Sequence, residues 1–72
     1  MDIVHVKLLD EGTLVFKPVP ASGINETTYK LEGWDLYDPT DECWEFPPGS
    51  LVLIKNQLLG NRMVRVAISL LI

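Results

Sequence analysis

The alternation of apolar and polar residues at both ends of the chain is the feature that most constrains the fold. In the first segment, Val4, Val6 and Leu8 alternate with His5 and Lys7. A two-residue period is typical of a half-buried β-strand, and no window holds a helical period beyond one turn. The last segment shows the same pattern, which predicts one buried face made of Val64, Val66, Ile68 and Leu70. Before it, Gly60 and Asn61 tolerate the positive φ of a primed hairpin turn and predict the turn that leads into this strand.

Three more segments have the length and composition of strands. Thr13–Val19 is β-branched and aromatic, 27–31 is short, and Ser50–Lys55 is an apolar run typical of a central strand covered on both faces. Pro18 marks the second strand as an edge, and the residues from Pro20 onwards predict a loop. We therefore predict an all-β fold: one domain spanning residues 1–72, built as a small antiparallel five-stranded barrel with one short helical turn.

A chain of 72 residues buries only about 60% of its unfolded surface, so its core is marginal. One cysteine cannot form an intramolecular disulfide that would compensate. Burial between subunits is a remaining source of stability, and we predict a homodimer or larger homo-oligomer.

The net charge of −4 is unevenly distributed along the chain. Residues 26–46 carry −6, whereas residues 47–72 carry +3. Nucleic-acid binding is disfavoured because it needs a basic footprint, and here only a small patch around Lys55, Arg62 and Arg65 offers one. No targeting signal or membrane anchor is predicted, and the unpaired cysteine favours a cytoplasmic location.

The acidic segment YDPTDECWEFPPGS, residues 37–50, has two interpretations. Its carboxylates, together with Asp35 just before it, could bind a cation, but their spacing does not match the known calcium loop. Asp38 followed by Pro39 instead indicates a capped turn, in which Asp41 and Glu42 face the positive end. We therefore predict neither a metal site nor a cofactor.

A nucleophilic dyad would need Cys43 and His5, the one cysteine and one histidine of the chain. His5 is expected on the solvent face of its strand, and Cys43 is expected to be a small buried apolar residue. We therefore predict no catalytic residue within one chain. An alternative is a small-ligand or enzyme site formed at a subunit interface from His5, Cys43 and carboxylates of different chains.

Aromatic residues alternate with acids between residues 34 and 46 and precede two prolines. An aromatic surface with an acidic rim suits extended peptides that carry proline or basic residues. Phe46 is expected to point into the core. The predicted protein-binding residues are Trp34, Tyr37, Asp41, Glu42 and Trp44.

Two blocks, LLDEGTLVFKPVPA and YDPTDECWEFPPGSLV, resemble a family of small bacterial proteins without an assigned activity, and together they cover about 30 of the 72 residues. More loosely, LYDPTDECWEFPPGSLVLI is similar to the acidic loop and diverging turn of Src-homology-3 domains. That likeness implies a ligand-contacting role for Tyr37, loop acids at Asp41 and Glu42, and a diverging turn at Pro48–Ser50. The acidic loop is shorter here, and the tryptophan pair and the proline-asparagine-tyrosine element are missing. The likeness thus implies the fold and no peptide specificity.

From these observations we predict a non-enzymatic protein-interaction module that uses an acidic aromatic face.

Overall fold

The computed structural model describes residues 1–72 and is all-β, with 56% of residues in strands and no helix. The prediction of an all-β chain is confirmed. There are six strands, one more than the sequence predicts: β1 Asp2–Leu9, β2 Phe16–Gly23, β3 Thr28–Leu31, β4 Cys43–Trp44, β5 Leu51–Leu59 and β6 Arg62–Leu70.

The strands are connected in the order β2-β3-β5-β6-β1-β4, and a further pairing of β2 with β1 closes five of them into a ring. All pairings are antiparallel except that of β1 with β6, which is parallel and consists of the single pair His5 and Val66. The prediction of a purely antiparallel arrangement was therefore wrong for this one pairing, which is a single residue pair long.

The core lies inside this ring and is apolar. Val4, Val6 and Leu8 of β1 point into it, as their alternation predicts, and Phe46 is also buried. Leu31 and Val52 have no exposed surface, so β3 and β5 contribute the opposite wall.

The second strand starts later than predicted and continues through the expected loop to Gly23. Pro18 and Pro20 are two residues apart, so their backbone nitrogens face the same side of β2. That side is directed away from β1, and the absence of an N–H group there removes no hydrogen bond between β2 and β1. The Pro20 carbonyl accepts a hydrogen bond at 2.8 Å from the Glu32 N–H, beyond the end of β3. Both prolines therefore fit within the strand, and the prediction of a loop was wrong for residues 20–23, while Asn25 does lie in the loop that follows.

The predicted buried face of the last strand was also wrong in part. The register of β5 against β6 shifts between Leu53 and Ile54, which pair with Ser69 and Ala67 and leave Ile68 as an extra residue. A β-bulge of this kind reverses the alternation beyond it. Ala67 is buried in the core, whereas Ile68 and Leu70 are exposed.

The fifth strand is longer than predicted and is not covered on both faces, because only Val52 among its residues is fully buried. Its hairpin to β6 turns at Gly60 and Asn61, as the sequence predicts. Gly60 has a φ of 64° and Asn61 is not in the positive-φ region, which is the pattern of a type II′ turn. The structure contains no helix that could cross a membrane.

Candidate functional site

The five predicted binding residues all lie in the long connection between β3 and β5, residues 32–50. A turn at each end, a third turn at Asp38 and the short strand β4 shape this connection. At its start, the Leu36 N–H donates to the Gly33 carbonyl at 2.9 Å. At its end, the Ser50 N–H donates to the Pro47 carbonyl at 3.2 Å. This Pro47–Ser50 turn has proline at its second position and glycine at its third, the composition of a type II turn.

Trp34 is the most exposed large aromatic side chain of this connection, with 67% of its surface accessible. Its indole nevertheless lies against the backbone of the Pro47–Ser50 turn. A Cβ atom placed on Gly49 would be 2.8 Å from Trp34 Cζ2 and 3.2 Å from Cη2. The ring is therefore supported on one side by Gly49 and open to solvent on the other.

Trp44 has a different environment from the one predicted. The residue is 3% exposed, so the expectation that it belongs to an exposed aromatic surface was wrong. It pairs with Leu8 through β4, and this places its side chain in the core beside the inward residues of β1. Tyr37, which is half-buried, packs edge-on against it with ring centroids 4.8 Å apart. The buried Trp44 ring thus holds the Tyr37 ring in place from the side of the core.

Glu42 is engaged in contacts within the chain. Its Oε1 accepts hydrogen bonds from Lys17 Nζ at 2.8 Å and from Trp44 Nε1 at 3.3 Å. Lys17 Nζ also lies 5.9 Å from the centroid of the Trp44 ring, within cation–π range. The charge of Glu42 is therefore neutralised locally and contributes little to an acidic rim.

Asp38 and Asp41 differ in whether their carboxylates are hydrogen-bonded within the chain. Asp38 Oδ1 accepts from the Thr40 N–H at 3.0 Å and from its hydroxyl at 2.7 Å, and the Glu42 N–H donates to the Asp38 carbonyl. These are the bonds of an N-capped turn, as Asp38-Pro39 predicts, although no helix is present. Asp41 is exposed and makes no side-chain hydrogen bond. No group of three or more His, Cys, Asp or Glu side chains is arranged to hold a metal ion.

Cys43 and His5 are far apart within one chain. Cys43 pairs with Leu9, four residues along β1 from His5, a separation of about 13 Å. Cys43 is exposed, so the prediction of a buried thiol was wrong. The reason is the strand alternation, which turns Trp44 inward and Cys43 outward. A site combining the two residues across subunits stays a prediction.

We expect the exposed thiol of Cys43 to react in the folded state. One equivalent of a disulfide reagent such as Ellman's reagent should be consumed without denaturant, at a rate similar to that in urea. Protection of the native thiol by a large factor would contradict the placement of Cys43 outside the core.

The capped turn and the Lys17–Glu42 contact make stability dependent on pH. The hydrogen bond from Lys17, followed by that from Trp44, lowers the pKa of Glu42 below its ordinary 4.5, and the bonds from Thr40 lower the pKa of Asp38 below 3.8. A carboxyl whose pKa is lower in the folded state than in the unfolded state stabilises the fold at any pH above its unfolded-state pKa. That stabilisation is lost as the pH falls through the folded-state pKa.

We therefore expect the urea midpoint of the wild type to fall as pH drops below about 4.5. Glu42→Gln should reduce this fall. Glu45→Gln is a matched control, because Glu45 is exposed and its side chain makes no hydrogen bond. Equal pH profiles for the two variants would show that the Glu42 contacts do not contribute.

Two residues that shape this site were not predicted from the sequence. Lys17 belongs to β2, and only the tertiary fold brings it to Glu42, 25 residues away. Gly49 was expected only as part of the Pro48–Ser50 turn, and its contact with Trp34 was not predicted, although glycine also permits the close approach of another group to the backbone.

Comparisons with protein-family models, with curated proteins and with solved structures give no match to this chain.

Proposed function

We propose that the chain is a non-enzymatic protein-interaction module that binds an extended basic peptide on the connection between β3 and β5. The binding face consists of Trp34, Tyr37 and Asp41. Glu42 and Trp44, which the sequence places on the same face, act beneath it by holding Tyr37 and Lys17 in position.

The observation that carries this proposal is the exposed indole of Trp34. Large aromatic rings dominate the energetics of protein interfaces, and a rigid ring loses little conformational entropy when a partner covers it. Contact with the Gly49 backbone restricts the Trp34 ring before any partner arrives. A preorganised, exposed tryptophan is the arrangement expected of an anchor residue.

The charge around this ring supports a basic partner. Asp35 is next to Trp34 in the chain and is exposed, as are Asp41 and Glu45. An arginine of the partner can stack on the indole while its guanidinium approaches the Asp35 carboxylate. Exposed carboxylates of this kind increase the association rate more than the affinity.

We propose further that the ring of five strands is a small Src-homology-3-like barrel and that the Asp38 turn corresponds to its short helical turn. The closed pairing of β1, β2, β3, β5 and β6 supports this assignment, as does the Pro47–Ser50 turn that precedes β5. Membership of the small bacterial family and a cytoplasmic location stay predictions from the sequence.

Self-association is the second part of the proposal. Exposed apolar side chains follow one another from the β6 bulge to the end of the sequence, at Ile68, Leu70, Leu71 and Ile72. An apolar strip of this kind is typical of an interface between subunits. Sedimentation equilibrium at micromolar concentration should show a dimer or larger species that dissociates in Leu70→Asp. A wild-type monomer would contradict this part.

A peptide titration tests the binding face. The probe is a synthetic eight-residue peptide of alternating proline and arginine, with a proline-glutamate peptide as the reversed-charge control. The basic peptide should bind saturably, and Trp34→Ala should weaken its binding at least about 10-fold, as for an anchor residue. Asp41→Asn should have a smaller effect that disappears at high salt.

Leu58→Ala is the matched control for Trp34→Ala. Leu58 is 63% exposed and lies in the β5–β6 hairpin, away from the connection. Its replacement should leave the dissociation constant within twofold. Equal binding of both peptides, or equal losses in the two variants, would refute the proposed face.

A further inference from the structure

A second surface of the chain, on the other half of β1, has the features of a small-ligand site. It is a groove of about 700 Å³, within the range of volumes usual for such sites. Ile3 and His5 form one wall, and the start of β6, residues 62–65, forms the other. The acidic aromatic connection is next to Leu8 and Leu9 instead, so the two surfaces are separate.

The groove exists because β1 and β6 pair at only one position. The two strands run parallel and meet at His5 and Val66. The residues of β6 before Val66 therefore lie beside the first residues of β1 without a further strand pairing. Tyr29 of β3 and Ile54 of β5 line the space that this divergence leaves.

Two guanidinium groups line the groove, and carboxylates of the chain neutralise little of their charge. Arg62 has no carboxylate within salt-bridge distance. Arg65 approaches Asp2 only to 4.0 Å, in a pair that is half exposed and therefore weak. The Arg65 guanidinium also lies 5.4 Å from the centroid of the Tyr29 ring, which orients it.

His5 adds a third nitrogen-bearing group. Its Nδ1 is buried and has no hydrogen-bond partner, which is costly unless a ligand group or water satisfies it. Burial lowers the pKa of His5 below its ordinary 6.5, a hydrogen bond with the Arg65 backbone opposes this effect, and the nearby Arg62 guanidinium lowers the pKa further. Glu26 is the one acid that lines the groove. The lining thus carries a net positive charge in a chain whose net charge is −4.

We propose that this groove binds a small organic anion. Its carboxylate or phosphate lies against Arg62 and Arg65, and its apolar body lies on Ile3, Pro18 and Met63. The planar guanidinium matches both head groups with paired hydrogen bonds. Two arginines are too few to hold a nucleic-acid backbone, which is neutralised by many such contacts.

NMR titration of the isotope-labelled full chain at low salt tests the groove. The probes are benzoate, phenyl phosphate and the uncharged benzyl alcohol. Saturable shifts confined to amides near residues 3–5 and 62–65 are expected with benzoate, phenyl phosphate or both, and the tighter of the two identifies the head group. Benzyl alcohol should produce no saturable shift.

Arg62→Gln with Arg65→Gln should raise the dissociation constant at least 10-fold while amide shifts elsewhere stay unchanged. Lys55→Gln is the control, because Lys55 alternates with the groove residues Ile54 and Asn56 and is exposed on the other face of β5. It removes one positive charge, as each single arginine change does, and should change affinity less than twofold. Absence of saturable shifts, equal effects of the arginine and lysine changes, or far tighter binding of a 12-nucleotide DNA at the same amides would overturn the proposal.

Discussion

Trp44→Ala is expected to lower the free energy of unfolding by about 3–5 kcal/mol, the usual cost of removing a buried aromatic side chain. A chain of this size has a total stability of roughly 4–10 kcal/mol, so the variant should lose a large share of its stability. The loss has three physical parts: the cavity left in the core, the missing contact with Tyr37, and the missing hydrogen bond to Glu42. Urea unfolding followed by far-ultraviolet circular dichroism measures the change.

Trp34→Ala is the comparison for this variant, since both remove an indole. Trp34 is largely exposed, and surface substitutions of this kind usually change stability by less than about 0.5 kcal/mol. We allow up to about 1 kcal/mol for the lost contact with Gly49. If the two variants were equally stable, Trp44 would not be a core residue and the assignment of roles to the two tryptophans would fail.

Gly49→Ala is expected to destabilise the chain and to release the Trp34 ring. Gly49 has a φ of 89°, where a residue with a Cβ atom is strained by about 1–2 kcal/mol. The new methyl group would also lie 2.8 Å from Trp34 Cζ2, so the indole must move. We expect weaker binding of the basic peptide together with a more mobile indole, seen as faster acrylamide quenching of the Trp34 fluorescence.

Gly60→Ala separates these two effects. Gly60 has a φ of 64°, but a Cβ atom there would meet nothing within 4 Å. The Gly60 variant should therefore lose stability without any change in peptide affinity or quenching. If Gly49→Ala and Gly60→Ala behaved alike in the peptide titration, contact with Gly49 would not be what positions Trp34.

Local patterns predicted much of this architecture. The alternation in β1 identified Val4, Val6 and Leu8 as core residues, and Gly60-Asn61 identified the last hairpin. The β6 bulge could not be predicted in this way, because an extra residue leaves no mark in an alternating sequence. The extension of β2 through two prolines depends on which neighbour each backbone N–H faces, and only the sheet register determines that.

The candidate site was predicted only in part for a related reason. The predicted residues do lie in one connection, but the exposure of their side chains depends on β4, a strand too short to recognise. The segment CWEF does alternate, with Trp44 and Phe46 buried and Cys43 and Glu45 exposed. Reading that period of two would have placed both Trp44 and Cys43 correctly. The partnership of Lys17 with Glu42 required the tertiary fold.

The most direct test of the proposed function follows the two indole Nε1–H signals of the labelled chain during titration with the proline-arginine peptide. The chain has two tryptophans, so each signal can be assigned from the Trp34→Phe variant. We predict that the Trp34 signal shifts saturably, while the Trp44 signal, which is buried and bonded to Glu42, changes little. A titration in which neither signal moves, or in which only the Trp44 signal moves, would contradict a binding face centred on Trp34.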